Sequence, residues 1–175
     1  MVSIVRTPPL ITAADRALHL DDVLDAAGIT SKVGTPCGIL APLWRLAQRT
    51  DRSASLVTMS REDTALAFAV GQALSGIFPA VLMQNSGFGN CINVMASLVC
   101  PFEIRMVLIV SLRGTDNDST PENSGMGTAT AAILKHWKIP SILLRHSEDR
   151  LSLADINPTG PTVVLIGPEY FGWRP

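Results

Sequence analysis

Short continuous apolar runs alternate along this chain with apolar residues at helical spacing. The continuous runs predict six strands, at residues 29–33, 56–59, 79–83, 104–112, 141–144 and 162–166. The run at 104–112 is almost wholly apolar, which is typical of a strand buried on both faces of a parallel sheet. Strands that alternate with helices predict an α/β fold, a doubly wound, mostly parallel six-stranded sheet with helices on both faces. We expect a single domain over residues 1–175.

Helices are predicted in the intervals between these strands. One begins at Thr12 and ends near Gly28, and others cover 39–47, 62–75, the stretch after residue 90, and 125–137. Ser60, followed three residues later by Asp63, predicts a capping box for the third of them. The polar stretches 84–90, 113–123 and 146–160 are predicted as turns or loops.

Composition narrows the class of protein. Hydrophobic residues make up 47% of the chain and charged residues 17%, which predicts that another subunit covers part of the surface. A monomeric apolar domain remains the alternative.

The net charge is −1 and the 14 basic residues are scattered, which argues against nucleic-acid binding. The apolar runs are too short to span a bilayer, and the N-terminal residues lack the pattern of a signal peptide. We therefore expect a cytoplasmic protein without membrane contact.

Few familiar motifs are present. Cys37, Cys91 and Cys100 have no CxxC spacing and only three histidines accompany them, so we expect neither a structural metal site nor a disulfide framework. The sequence contains no GxGxxG, P-loop, HExxH or GxSxG pattern.

Parallel sheets of this kind bind ligands beyond the carboxyl ends of their strands. Three turns are predicted there, at 34–38, 60–63 and 84–90. Within the second turn, Glu62 lies on the stripe of its helix that packs inward, so it is either a functional carboxylate or a simple complement to the helix dipole. Asn85, Ser86 and Asn90 are either ligand donors or ordinary turn residues. Cys37 is either a nucleophile or a small apolar filler.

Four stretches together resemble thiamine-diphosphate enzymes. They are GTPCGILAPL at 34–43, REDTALAFAVG at 61–71, QNSGFGN at 84–90 and GMG at 125–127. The resemblance is closest to the alpha subunits of sulfopyruvate decarboxylases and to the N-terminal, pyrimidine-binding domain of phosphonopyruvate decarboxylases. It extends over residues 24–166, and the pattern LMQNSGxGNxxN at 82–93 is its most specific part.

The resemblance implies a role for each candidate residue. In the family, the acid that matches Glu62 hydrogen-bonds the aminopyrimidine of the cofactor and favours the imino form, which activates the thiazolium for attack on a 2-oxo acid. Cofactor contacts are implied for Glu62, Gly34, Pro36, Asn85, Ser86, Gly87, Phe88 and Asn93. Substrate contacts are implied for Cys37, Asn90, Arg113 and Asn123. Arg113, which follows the long strand, is either the ligand of an anionic substrate group or a solvated loop arginine.

A missing motif completes this interpretation. Family members bind the diphosphate through Mg²⁺ with a GDG motif, and this sequence contains no GDG. The resemblance therefore predicts a separate beta subunit that carries the diphosphate and Mg²⁺, with no metal ligands from this chain. We expect a hetero-oligomer such as α2β2 or larger, with the site at the interface and no activity of this chain alone.

One departure from the family pattern concerns the substrate. The segment before GMG commonly reads PQH or PEH in these decarboxylases, and here Asn123 stands where the family has a titratable histidine. The protonation step or the substrate is therefore expected to differ. The preferred function is decarboxylation of sulfopyruvate or phosphonopyruvate, and the alternatives are a carboligase subunit and a non-catalytic binding domain of the same fold.

Overall fold

A computed structural model describes residues 12–49 and 54–174. Its six strands are β1 (Ser31–Gly34), β2 (Ser55–Thr58), β3 (Pro79–Gln84), β4 (Met106–Ser111), β5 (Ser141–Leu144) and β6 (Pro161–Ile166). They form one sheet in the order β2-β1-β3-β4-β6-β5, and each neighbouring pair is parallel. The predicted six-stranded doubly wound sheet is confirmed, and it is wholly rather than mostly parallel. Residues 1–11, 50–53 and 175 of the predicted single domain lie outside the described residues, so its extent stays a prediction.

The most apolar strands occupy the middle of the sheet. All residues of β4 and β6 are buried, and so is β3 up to its last residue. Their continuous apolar sequences suit this position because helices cover both faces of the sheet. The strand predicted at 104–112 is confirmed but shorter, since pairing begins only at Met106.

The helices are α1 (Ala13–Ala26), α2 (Ala41–Ala47), α3 (Glu62–Leu74), α4 (Asn85–Asn90), α5 (Ile92–Val94) and α6 (Pro121–His136). A π-helical turn, Met95–Val99, continues α5, and a 3-10 turn, Leu153–Asp155, lies between β5 and β6. In the part of the chain that is described, no helix has both the length and the apolar character needed to cross a bilayer.

Two local predictions are wrong. Ser60 forms no capping box, because the cap of α3 is Arg61, whose guanidinium donates to the Asp63 carboxylate at 3.0 and 2.8 Å. The stretch after Gln84 is not a turn but the helix α4. Its small residues have the composition of a turn, whereas the fully buried ring of Phe88 fixes the segment onto the core as a helix.

The start of α6 also differs from the prediction. It begins at Pro121, four residues before the predicted start, so the polar stretch 113–123 is a loop only in its first part. Proline is well suited to the first helical position, where its missing N–H is not needed.

The helices form two layers, one on each face of the sheet. Helices α1 and α2 pack on one face through side chains that include Leu20, Leu24 and Leu43. Helices α3 to α6 pack on the opposite face through a second cluster that includes Leu66, Phe88 and Leu134. Both layers leave the carboxyl ends of the strands open at one edge.

Candidate cofactor site

The carboxyl ends of β1, β3 and β4 lie side by side. Gly34 pairs with Leu82, and Gln84 pairs with Ser111, so the segments that follow these strands leave the sheet at one edge. Helix α3 follows the neighbouring strand β2 and begins with Glu62. The three stretches predicted to meet beyond the strands therefore do meet at this edge.

Glu62 and Gly87 are in direct contact. The side chain of Glu62 is half-buried, and a Cβ atom added to Gly87 would overlap its carboxyl carbon and lie 2.5 Å from Oε1. Any residue larger than glycine at position 87 would displace this carboxyl group. Within residues 12–49 and 54–174, no hydrogen bond or ion pair engages the Glu62 carboxylate. The carboxylate is thus positioned by the chain and available to a ligand.

Cys91 lies within electrostatic range of Glu62 and Asp63. Its side chain is fully buried. Burial first, and then the charges of Asp63 and Glu62, raise the pKa of the Cys91 thiol to about 12. The thiol therefore stays protonated at neutral pH and is no nucleophile.

A group of small polar side chains lies between the ends of β1, β3 and β4. The Cys37 sulfur is 3.1 Å from the Ser111 hydroxyl and 3.8 Å from Gln84 Oε1. Gln84 in turn donates from Nε2 to the Ser86 hydroxyl at 2.6 Å. Cys37 and Ser86 are site residues predicted from the sequence, and Gln84 belongs to the predicted turn at 84–90, whereas Ser111 is not predicted. The available signal for Ser111 is that it is a polar residue ending an apolar strand.

The side chains of Asn85 and Phe88 are held by contacts inside the chain. The Asn85 side chain is buried, donates to the Arg113 carbonyl at 2.9 Å and accepts from the Arg113 N–H at 3.1 Å. The Phe88 ring is fully buried and contacts Trp137 edge-on at 6.4 Å between centroids. The predicted cofactor contacts of both residues stay predictions. Asn85 ties α4 to the loop after β4, and Phe88 anchors α4 in the core.

Arg113 is held by a buried acid. Its Nε donates to Asp118 at 2.5 Å, and its guanidinium lies 4.6 Å from the centre of the Trp173 ring. Asp118 also accepts from the Gly114 N–H at 2.8 Å and from the Thr120 hydroxyl. The hydrogen bond from Arg113, followed by those from Thr120 and Gly114, holds the pKa of Asp118 well below its ordinary value. Arg113 is therefore engaged within the chain, and its contact with an anionic substrate group stays a prediction.

Asn123 belongs to the same loop. It is buried, and its side-chain N–H group points to Asp118 at 3.5 Å. The backbone of Gly114, with φ of 73°, passes so close to Asn123 and Gly127 that a Cβ at Gly114 would overlap the Asn123 carbonyl. Asn123, which stands where the family has a histidine, is thus packed between this loop and α6. A contact between Asn123 and the substrate stays a prediction.

The remaining predicted residues lie around the edge. A Cβ at Gly34 would overlap the Leu82 carbonyl, so the sheet itself requires glycine there. Pro36, Asn90 and Asn93 are exposed. Their proposed contacts with cofactor and substrate are compatible with this exposure and remain predictions.

The site suits one half of the implied cofactor. A half-buried, unpaired carboxyl group that the chain holds over a glycine matches a heteroaromatic ring nitrogen, with which it can share a proton. Among the described residues, no group of three histidine, cysteine, aspartate or glutamate side chains lies close enough together to hold a metal ion. The residues on this edge therefore fit the aminopyrimidine.

Solved structures identify the fold. The thiamine diphosphate-dependent 4-hydroxybenzoylformate decarboxylase of Rhodococcus jostii RHA1 superposes with a TM-score of 0.65 and 17% sequence identity, over 93% of this chain and 31% of that chain. Benzoylformate decarboxylase from Polynucleobacter necessarius gives a TM-score of 0.64 over 89% of this chain. The fold is thus that of the pyrimidine domain of thiamine-diphosphate enzymes.

Sequence relatives identify the family. The chain is 38% identical over 114 residues to sulfopyruvate decarboxylase subunit alpha of Methanothermobacter thermautotrophicus, covering 65% of this chain and 68% of the relative. For the subunit alpha of Methanocaldococcus jannaschii the identity is 32% over 78% of this chain and 80% of the relative. Phosphonopyruvate decarboxylase of Streptomyces hygroscopicus is 33% identical, and only 34% of its length is covered. No protein-family model matches the chain. The chain belongs to the family of sulfopyruvate decarboxylase alpha subunits.

Proposed function

We propose that this chain is the alpha subunit of a heteromeric thiamine-diphosphate-dependent 2-oxo acid decarboxylase that acts on sulfopyruvate or phosphonopyruvate. The observation that carries the proposal is the contact between Glu62 and Gly87. It presents an unpaired, half-buried carboxyl group at the edge where parallel sheets bind ligands. The names of the relatives support the substrate class.

Glu62 holds a proton at the aminopyrimidine ring in this proposal. A carboxyl group fixed by packing shares its proton with a ring nitrogen without first breaking a bond inside the protein. When bound, thiamine diphosphate supplies the electron sink that accepts the electron pair released as carbon dioxide leaves the 2-oxo acid. Gly87 sets the position of the Glu62 carboxyl group, and Asn85 fixes α4, which carries Gly87.

The diphosphate half of the site is assigned to a beta subunit. This proposal is supported by relatives whose names specify a subunit alpha. It is also supported by relatives whose names specify no subunit, such as phosphonopyruvate decarboxylase. This chain matches only about a third of the length of that relative. The beta subunit would bring Mg²⁺ and the diphosphate against the open strand ends, giving an α2β2 or larger complex.

The substrate would lie against the polar group at the strand ends. Cys37, Ser86 and Gln84 carry uncharged donors and acceptors that suit the oxygen atoms of a small 2-oxo acid. The side chain of Arg113 is already paired with Asp118, so an anionic sulfonate or phosphonate group is expected to find its cation on the beta subunit.

A carboligase subunit is the second candidate. It is favoured by one observation, the buried amide of Asn123 where the family has an imidazole. An amide at position 123 would supply no proton to a product, so addition to a second carbonyl compound would compete better with release of a free aldehyde.

The experiment uses the complex retained by a tagged copy of this chain in its native cells. We expect a companion polypeptide that contains GDG, and release of carbon dioxide and free aldehyde that requires thiamine diphosphate and Mg²⁺. Glu62→Gln should keep the companion bound but lower kcat by at least about 100-fold. The matched control is Asp63→Asn, one residue further along α3, which should retain activity.

Each alternative gives a different result in the same assay. A longer hydroxyketone in place of the free aldehyde would replace decarboxylase with carboligase. Full turnover by the Glu62→Gln complex would refute the proposed role of Glu62. A wild-type complex that binds the cofactor but turns over no 2-oxo acid would replace the decarboxylase with a non-catalytic binding domain.

A further inference from the structure

The segment that follows β6, residues 167–174, begins at the carboxyl edge of the sheet. Tyr170 and Phe171 anchor this segment, because both side chains are buried in the core beneath α1 and α2. Their rings meet edge-on at 4.8 Å between centroids. The side chain of Asn117, in the loop after β4, donates to the carbonyl of Trp173 at 3.5 Å. The segment is therefore a fixed part of the edge at which the candidate cofactor site lies.

Gly172 sets the direction of this segment. Its φ of 72° is in the left-handed region that favours glycine. The Gly172 N–H donates to the Glu169 carbonyl at 2.9 Å. The Trp173 N–H donates to the Pro168 carbonyl at 3.0 Å. This pair of hydrogen bonds is the pattern with which a helical turn ends at a glycine. The backbone thus fixes the position of Trp173.

The indole ring of Trp173 contacts the loops that follow two different strands. The guanidinium of Arg113, in the loop after β4, lies 4.6 Å from the centre of the ring. In the turn after β1, a Cβ added to Gly38 would lie 3.5 Å from the indole nitrogen and 4.0 Å from Cδ1. The edge of the indole therefore packs against this turn. Strand β3 lies between β1 and β4 in the sheet, so the two contacts flank its end.

The polar group at the strand ends adjoins these contacts. Cys37, the residue before the contacted glycine, has its sulfur 3.1 Å from the Ser111 hydroxyl at the end of β4. Cys37 and Trp173 both pack against the core beneath α1 and α2. Glu62 begins α3, which packs on the opposite face of the sheet. Trp173 therefore borders the polar group from the side opposite to Glu62.

We propose that Trp173 is a positioning residue, which holds the turn that carries Cys37 against the loop that carries Arg113 and so fixes one wall of the substrate cleft. The description of this space as a substrate cleft rests on the proposed function. An indole suits the role because its face packs on a guanidinium while its edge packs on a backbone turn. Trp173 lies outside residues 24–166, so the family resemblance assigns it no role.

The first test measures how fast iodoacetamide alkylates Cys37 in the purified chain, by mass spectrometry of the peptide that contains it. Access to a thiol controls this reaction. Trp173→Ala releases the turn and should raise the rate by about 10-fold, because local opening exposes the sulfur. Trp173→Phe keeps a ring on the guanidinium and should stay within about 3-fold of the wild type. Alkylation of Cys100, which precedes β4 at the opposite edge, should not change.

The second test uses the complex with its companion and whichever of sulfopyruvate and phosphonopyruvate it turns over. Trp173→Ala should raise KM by about 10-fold with kcat within about 3-fold of the wild type, because a loosened wall weakens substrate and transition state equally. Trp173→Phe should restore KM. Exchange of the C2 proton of the bound cofactor should not change, since Glu62 acts from the other side. Phe102→Ala is the matched control, because this ring is 68% exposed and precedes β4. It should leave KM unchanged.

Three results would overturn the inference. Unchanged alkylation of Cys37 in Trp173→Ala would show that Trp173 does not hold the turn. Faster alkylation with an unchanged KM would show that the turn is not a wall of the substrate cleft. A fall in kcat that Trp173→Phe does not reverse would show that position 173 acts in some other way.

Failure of the proposed function would look different. A wild-type complex that turns over neither acid would refute that function. The alkylation test would still decide whether Trp173 holds the turn, since it needs no cofactor, companion or substrate.

Discussion

Two carboxylates near the carboxyl edge of the sheet, Glu62 and Asp118, are in opposite states. The Glu62 carboxylate is half-buried and engages no described hydrogen-bond donor. The Asp118 side chain is completely buried and accepts hydrogen bonds from Arg113, Gly114 and Thr120. The Glu62 carboxylate can still accept a hydrogen bond from a ligand. The Asp118 carboxylate already accepts hydrogen bonds from groups of the chain.

The difference distinguishes an acid that stabilises the fold from one that is available to a ligand. Hydrogen bonds and an ion pair to a buried carboxylate stabilise the fold, but they leave it no role toward a ligand. Packing without hydrogen bonds positions a carboxyl group and leaves its oxygen atoms available. In this molecule a glycine, Gly87, does the positioning of Glu62.

The largest effect is expected from Gly87→Ala. The new methyl group would occupy the place of the Glu62 carboxyl group and displace it. Because misplacement of a catalytic group by about 1 Å costs on the order of 100-fold in rate, we expect kcat of the complex to fall by about that factor. Turnover of purified complexes provides the measurement.

Gly89→Ala is the matched control on the same helix. A Cβ at Gly89 would lie 3.2 Å from the Met126 sulfur, a flexible group that can shift. Its kcat should stay within a few-fold of the wild type. Equal losses in the two variants would show that any methyl group on α4 is harmful and that Glu62 is not specifically involved.

The second effect concerns stability. Asp118→Asn leaves the Arg113 side chain without its counter-charge and weakens several hydrogen bonds. We expect the free energy of unfolding to fall by about 2 to 3 kcal/mol, measured by urea denaturation of the purified chain. Asp116→Asn removes a more exposed ion pair to Arg145 and should cost much less. Similar losses from both variants would contradict the special position of Asp118.

Acidification tests the same carboxylate without a mutation. The pKa of Asp118 is lowered in the folded chain by the Arg113 hydrogen bond and then by those from Thr120 and Gly114. Its stabilising contribution is therefore complete above the unfolded-state pKa of about 3.9 and is lost as the pH falls through the lower folded-state value. The wild type should lose stability in this acidic range more steeply than Asp118→Asn, and parallel curves would be the contrary result.

The smallest effect is expected for the stability of Glu62→Gln. No hydrogen bond or ion pair of the described chain is lost, so the free energy of unfolding should change by no more than about 0.5 kcal/mol. Denaturation of this variant beside Asp118→Asn compares the two acids directly. A loss as large as that of Asp118→Asn would remove the distinction between them.

The fold was predictable because its strands are buried on both faces and therefore leave continuous apolar runs. Glu62 was singled out by its place on the inward stripe of α3 and by the family resemblance. The helical state of α4 was missed, because small polar residues favour turns locally and only the burial of Phe88 makes the segment helical.

The sequence also does not predict that the Arg113 side chain is paired within the chain. Its partners are Asp118 in the next loop and Trp173 near the end of the chain, which stacks on its guanidinium. Neither contact has a local sequence pattern. A charged residue after a strand therefore indicates a position at the edge of the sheet but not whether its charge is free.

The most direct test of the role of Glu62 is exchange of the C2 proton of bound thiamine diphosphate for deuterium, followed by NMR after rapid quenching. The measurement reports activation of the cofactor before any substrate reacts. We predict that the complex with wild-type chain exchanges at least about 100-fold faster than the complex with Glu62→Gln. Equal exchange rates with equal cofactor occupancy would contradict the account.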